Sequence, residues 1–431
     1  MSISEPFIRI DPRAAGVATS ATLAVQERCT ELSRAGRTVY RLGLGQSPFP
    51  VPMVVVEALR ANASHKAYLP VRGLPALREA VASYHGRRHG VQRAPESVLV
   101  GPGSKELLFL LQLVFDGDII VPTPAWVSYV PQSAIASRRM LALPTRAEDH
   151  WRVDPARLEA LCRSGGSSTP RLLLLNYPAN PTGTSYDLDH LVTLARVARE
   201  HDVVILSDEI YGELRFDGAH VSIGRICPER TIVSGGLSKW CGAGGWRLGT
   251  FSFPTELAAV RDAMAVVASE TFTSTSAPIQ YAAVRAFQGG PEIERYLAGT
   301  RRFLAALTAH CLRTLRAAHA QIETPDGAFY LFPDFGPMRD QLAARGVRTS
   351  VDLAAQLLDQ TGVAVLPGTD FGRPAEELTV RLAVVDFDGA KALEVVRAMP
   401  ESEAISEQTL RALCTHVTDG VDRIVEWVRA V

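Results

Sequence analysis

No basic run, no long apolar segment and no paired cysteines appear in this 431-residue sequence, and each absence excludes something. Its 45 lysines and arginines stand against 46 acidic residues, a formal net charge of −1, and the arginines come only as scattered pairs such as Arg87-Arg88, Arg138-Arg139 and Arg301-Arg302. A protein that tracks a phosphate backbone needs a basic face, so nucleic acid is not an expected partner. No apolar run approaches the roughly 20 residues of a membrane span, so no membrane partner is expected. The first eleven residues carry acids and a proline where a secretion signal needs a basic start and an apolar stretch. Six cysteines (Cys29, Cys162, Cys227, Cys241, Cys311, Cys414) lie far apart, without a CxxC pair or metal-ligand spacing. They read as reduced thiols of a cytoplasmic protein with no metal site. There is no internal repeat, and one small-residue stretch, 164–169, reads as a surface turn before a strand.

What is present is an alternation of short apolar runs and longer helical patterns, the mark of a parallel sheet wrapped by helices. Strands are predicted over 97–100, 118–121, 139–143, 171–176, 203–207, 231–234 and 248–253. Several are continuous apolar runs, as expected of strands covered on both faces. Helical periodicity fits 21–35, 74–89, 105–115, 188–201 and 256–268. From about Pro291 the texture changes to a long helix (292–317), strands at 328–334, 363–366 and 378–384, and a helix at 351–360. The chain is too long for one core. The expected division is an N-terminal arm with part of a small domain over 1–60, a large α/β domain over 61–290, and a smaller α+β domain over 291–431. Its amphipathic terminal helices, 407–417 and 421–431, read as packed or partner-facing.

Open α/β sheets bind ligands beyond the carboxyl ends of their strands, and the residues found there form a chemical set. Gly101-Pro102-Gly103-Ser104-Lys105 opens a helix, which turns backbone N–H groups towards an anion, although an ordinary turn reads the same. Trp126 follows the second strand and could stack on a flat ring or simply fill the core. The later strands run into Asn180, into Asp208 and Tyr211, and into Ser238 and Lys239, with Arg247 close behind. A carboxylate, a lysine, a phenol, an amide and an arginine make a poor apolar core, because buried charges need partners. They suit a charged aromatic aldehyde that bears a phosphate. Taken singly, Lys239 could be a surface lysine, Asp208 a helix N-cap and Arg381 an exposed strand arginine.

In order along the chain stand Tyr68-Leu-Pro-Val-Arg-Gly73, Leu77-Arg78, Pro122 to Tyr129, Asn180-Pro-Thr-Gly183, Asp208-Glu-Ile-Tyr211, Ser238-Lys239, Gly245-Trp-Arg247-Leu-Gly249, Gly327-Ala-Phe-Tyr330 and Val380-Arg381-Leu382. With this set, from about Val39 to Asp386, the chain resembles the class I/II aminotransferases of the fold type I family that depends on pyridoxal 5′-phosphate (PLP), in their bacterial aspartate-aminotransferase-like branch. The resemblance implies a mostly parallel seven-stranded sheet in the large domain. It makes Lys239 the residue that holds the cofactor as an aldimine and shuttles the proton, and Asp208 the partner of the ring nitrogen. Tyr211 and Asn180 would face the ring's 3-oxygen and Trp126 would stack on the ring. The phosphate would lie against Gly103, Ser104, Lys105, Ser238 and Arg247, with Tyr68 reaching in from the second subunit of a homodimer. Arg381 would clamp the substrate's α-carboxylate, near Gly45 and Asn180.

Three departures accompany the match: the glycine-rich Trp240-Cys-Gly-Ala-Gly-Gly245 after the lysine, Gly236 where a hydroxyl is frequent, and Gly45-Gln-Ser-Pro-Phe49 near the N-terminus. The reaction expected is ping-pong transfer of an amino group from a small amino acid to a 2-oxo acid, with 2-oxoglutarate the expected acceptor. A lyase, cyclase or oxidase working on the same carbanion is the alternative, and a non-catalytic ligand sensor a remoter one. Gly242-x-Gly244 does not open a βαβ unit and is no dinucleotide fingerprint. His85 and His89 stand four apart on a helix beside Arg87 and Arg88, whose charge opposes a cation, so metal is not expected there. Arg72 beside the Tyr68 loop reads as a surface or subunit-contact residue that could touch a substrate side chain.

Overall fold

A computed structural model describes residues 10–17, 19–164 and 169–430. Most of the segment read above for a secretion signal lies outside the described residues. So do residues 165–168 of the small-residue turn, and Val431 at the end of the last predicted helix.

After a short strand β1 (Tyr40–Arg41), the central sheet is built from β2 (Val98–Gly101), β3 (Asp118–Thr123), β4 (Met140–Pro144), β5 (Arg171–Asn176), β6 (Val203–Asp208), β7 (Thr231–Gly236) and β8 (Gly249–Ser252). Their order is β2-β8-β7-β6-β5-β3-β4. Only β8 runs antiparallel to its neighbours. The seven predicted strands are all present, because continuous apolar runs have no solvent face to offer. In β5, Leu172 and Leu174 enter one core with Leu107, Leu111 and Phe251. Leu173 and Leu175 enter the opposite core with Leu158, Leu191 and Leu194. Alternate side chains thus bury on opposite faces, each leucine worth roughly 1.5–3 kcal/mol; shortening one to alanine would cost about 2–5 kcal/mol.

Register decides what meets at the sheet's ligand end. Asn176 pairs with Asp208, and Asp208 with Ser234. Because β8 is antiparallel, its first residue, Gly249, lies at the same end, opposite Gly236 and Gly101.

The smaller unit is organised by the helix Pro291–Ala317 and an antiparallel sheet of β9 (Tyr330–Leu331), β11 (Leu366–Pro367) and β12 (Val380–Ala383), in the order β11-β12-β9. β10 (Val363–Ala364) pairs in parallel with β1, which ties the N-terminal segment to this unit. The helix Ala21–Arg34 buries Cys29 and Leu32 against Val39 and Ala364.

Some elements differ from their sequence signal. The strand predicted over 328–334 is only two residues long, since Ala328 has φ +61° and Pro333 follows closely. The terminal helices are Glu407–Leu413 and Thr415–Arg429, broken at Cys414 rather than near Gly420. Gly420 lies inside the second helix, where its small size lets the helix approach Tyr40 and Leu42. The helix Met53–Asn62 carries the run Val54-Val55-Val56, which favours a strand locally; packing on the helix Ala277–Gln288 overrides that preference. Among the described residues no helix is long and apolar enough to cross a membrane.

Candidate active site

A cavity of about 270 Å³ opens at this end of the sheet, lined among others by Gly45, Ser104, Lys105, Trp126, Asn180, Asp208, Tyr211, Ser238, Lys239 and Arg247. Its volume is at the small end of ligand pockets.

One corner is shaped for an anion. Gly103 has φ +95°, and a Cβ there would strike the guanidinium of Arg247; a Cβ on Gly249 would strike the backbone nitrogen of Ser104. Glycine at both places lets the amino end of the helix Ser104–Val114 meet Arg247. Arg247 donates to the carbonyls of Gly244 at 2.9 Å and Pro102 at 3.3 Å. Among the described residues it pairs with no carboxylate. The amides of the first helical turn, a helix dipole and a guanidinium without a carboxylate partner together attract a phosphate.

The floor carries Asp208, placed by the last residue of β6. Its Oδ2 accepts a hydrogen bond from Tyr129 Oη at 2.7 Å, and its Oδ1 lies 3.3 Å from Ser234 Oγ. Burial raises its pKa, while Tyr129, the Ile210 amide and Ser234 pull the other way. No cationic side chain among the described residues forms an ion pair with it. A buried carboxylate without a cation is suited to a protonated ring nitrogen.

Lys239 follows β7 and its Nζ donates to the Gly45 carbonyl at 2.6 Å. Burial, then the nearby Arg381 guanidinium, lowers its pKa to about 8, although Asp208 opposes the shift. The amine therefore gives up its proton near pH 8 rather than 10.5, which brings it closer to the neutral form that a nucleophile and proton carrier needs. Tyr211 Oη lies 2.6 Å from Tyr330 Oη, and burial pushes the Tyr211 phenol up. Arg381 donates to Asn180 Oδ1 at 3.1 Å and to the Gly43 carbonyl, between the rings of Tyr330 and Phe371. Its Nε is buried without a partner. Asn180, Asp208, Tyr211, Ser238, Lys239 and Arg247 thus converge as the strand-end reading required.

Two predicted residues stand apart. Tyr68 does not line the cavity of its own chain, and it is 89% exposed. Arg381 is buried behind Asn180 and does not line the cavity either, rather than being an exposed strand arginine. The sequence reading assigned no role to Tyr129, Ser234 or Tyr330. Tyr129 and Tyr330 lay inside quoted motifs, but their partners are 79 and 119 residues distant. Arg72 pairs with Asp262 at 2.8 Å.

The donor set and the glycine-shaped corner fit pyridoxal phosphate: an anion corner, a lone carboxylate, and a lysine with lowered proton affinity between them. Comparison with known proteins points the same way. The family model described as "Aminotransferase class I and II" matches residues 37–398. The aspartate aminotransferase of Geobacillus stearothermophilus is 35% identical over 378 residues, 85% of this chain and 93% of that protein. The aspartate/prephenate aminotransferase of Thermus thermophilus is 37% identical over 359 residues, 82% and 89% of the two chains. Among solved structures, the aspartate aminotransferase from Thermus thermophilus with maleate superposes with a TM-score of 0.82 at 30% identity, covering 98% of this chain and 100% of that one.

Proposed function

The chain belongs to the class I and II aminotransferase family, as a PLP-dependent aminotransferase of fold type I, and we propose that it moves the amino group of a dicarboxylic amino acid such as aspartate to 2-oxoglutarate. The exchange is ping-pong, with the first product leaving before the acceptor binds. The observation that carries the substrate class is Lys105. Its ammonium lines the cavity, lies 5.7 Å from the Trp126 ring and has no carboxylate partner among the described residues. A second carboxylate on the substrate supplies that partner. Two relatives named aspartate aminotransferases, and a solved neighbour with the dicarboxylate maleate, support this reading.

Bound in the cavity, the cofactor supplies an aldehyde and an electron-accepting ring. Arg247, Ser238 and the amides of Ser104 and Lys105 would hold its phosphate, with Gly103 shaping the turn beside it while its own amide bonds to the Gly101 carbonyl, and Trp126 would cover its ring. The Asp208 carboxylate would keep a proton on the ring nitrogen, while Tyr211 and Asn180 would face the 3-oxygen. In its neutral form Lys239 would carry the proton between the substrate's Cα and the cofactor's C4′. Arg381, with Asn180 and the Gly45 backbone, would grip the α-carboxylate as a two-pronged donor once its two amino groups turn from Asn180 and the Gly43 carbonyl. Tyr68 would complete the site of a second subunit in a homodimer. The arm over 1–60, the cofactor-binding domain over 61–290 and the small domain over 291–431 are part of this proposal. A cytoplasmic setting agrees with six cysteines that are all free and buried.

The test uses purified holoenzyme. Aspartate alone should change its visible spectrum, 2-oxoglutarate should restore it, and Lys105→Ala should raise KM for aspartate far more than for amino acids with apolar side chains. Ammonia release without an oxo acid would instead indicate elimination or oxidation at the same Cα. An equal KM rise for all donors would remove Lys105 from substrate recognition.

A further inference from the structure

Behind the catalytic floor, Glu209 points away from the cofactor cavity into a second cluster. It meets His220, from the loop after Tyr211, and His89, the last residue of the helix Pro75–His89. One ligand atom from each of the three lies within 4.8 Å of the others. We propose that His89, Glu209 and His220 bind one divalent transition metal of the zinc class.

The charge balance motivates the site. Glu209 and His220 have side chains only 4% and 3% exposed, and His220 Nε2 stands 2.9 Å from Glu209 Oε2. No arginine or lysine among the described residues forms an ion pair with Glu209. The neighbouring Glu213 is different, since Arg88 binds it at 2.6 Å and Arg301 lies at 3.8 Å. A buried carboxylate without a permanent cation is costly, and a metal ion supplies that cation.

The Nδ1 atoms of His89 and His220 are buried without a hydrogen-bond partner. The second oxygen of Glu209 is oriented by Ser207 Oγ at 2.7 Å and Ser222 Oγ at 2.6 Å, as ligating carboxylates usually are. Two imidazoles and a carboxylate form a known zinc donor set, with bonds near ~2.0–2.2 Å. Small side-chain rotations would bring the three together. A cavity of about 20 Å³ between His85, His89, Glu209 and Glu213 has room for a fourth ligand the size of one water.

The objection from Arg87 and Arg88 is answered by the fold. Arg87 donates to the carbonyls of Phe287 and Gln288, and Arg88 spends its charge on Glu213 and Glu294. A second acidic cluster, Glu159, Glu200 and His201, is a useful control, because Arg163 and Arg196 already neutralise its carboxylates. The metal would clamp the end of the helix Pro75–His89 to the strand end that carries Asp208, without touching substrate.

Zinc should be titrated calorimetrically into chelator-treated holoenzyme. One ion per chain is expected, with binding weakened at least about ten-fold by His89→Ala and by His220→Ala, and unaltered by His201→Ala. Zinc should raise the Tm of the unaltered protein but not that of His89→Ala. Should either variant fail to fold, anomalous diffraction at the zinc edge on crystals of the unaltered protein decides. A peak between the three side chains supports the site. No bound zinc, equal affinity in the variants, or a peak only at His201 overturns it.

Discussion

Tyr129 donates its hydroxyl to Asp208 Oδ2 at 2.7 Å, with both residues buried, so the carboxylate proposed to face the ring nitrogen is held from behind by a phenol. Hydrogen bonds to charged groups contribute about 1.5–3 kcal/mol. Tyr129→Phe should therefore lower kcat/KM roughly ten- to hundred-fold with the fold intact. The sign follows from the shift: burial already raises Asp208, and losing a donor raises it further. Activity that needs the carboxylate is lost as pH falls, so the acid limb of the variant's pH profile should move to higher pH. An unmoved acid limb would contradict the role given to Tyr129.

Lys239 yields a stability prediction for the cofactor-free protein. Its pKa falls from 10.5 to about 8 on folding, mainly through burial. Between those values the unfolded chain binds the extra proton, so stability rises with pH in that window; below it the folded state bears the whole cost of the buried charge. Lys239→Met should be more stable than the unaltered protein at pH 7, and the gain should fade between pH 8 and 10.5. Equal melting temperatures at pH 7 would sink the idea.

Arg381 is sandwiched between Tyr330 and Phe371 and fixed by Asn180 and Gly43. Lysine has neither the planar fork nor the stacking face. Arg381→Lys should lower kcat/KM about a hundred-fold or more, by the 2–5 kcal/mol scale of a truncated buried charge pair. The loss should fall on amino-acid and oxo-acid substrates alike. Loss confined to one of them would show that the two α-carboxylates bind elsewhere.

Gly249 touches the Ser104 backbone so closely that no side chain fits. Gly249→Ala should push the helix amides away from Arg247 and weaken cofactor affinity, measured by equilibrium dialysis of PLP. Retained affinity would mean that this corner does not hold the phosphate.

The exposed Tyr68 tests the dimer. Tyr68→Ala and Lys239→Ala should each be impaired as pure homodimers. When the two are mixed and allowed to exchange subunits, activity should reappear, because the hybrid has one site with both residues intact. No recovery despite proven exchange would place Tyr68 outside the partner's site.

Much of this molecule is legible along the chain. The seven strands of the sheet are local apolar runs, and doubly buried strands have no polar face to blur the signal. The glycines, Asp208, Lys239 and Arg247 stand directly at strand ends, so the order of elements is enough to bring them together. The three-valine run in the helix Met53–Asn62 was not legible, because a helix more than two hundred residues away decides it, and the two-residue β9 was not, because the φ of Ala328 and a strand about fifty residues away limit it.

By itself, then, the sequence determined the sheet, its ligand end and the identity of the chemical groups placed there, since these follow from local periodicity and residue type. The tertiary structure alone decided the pairings between distant segments. Tyr129 with Asp208, Tyr330 with Tyr211, and His89 with Glu209 and His220 are each separated by an intervening strand, helix or domain. Such contacts leave no periodic mark in the chain, because they depend on where the folded backbone returns and not on what stands beside it.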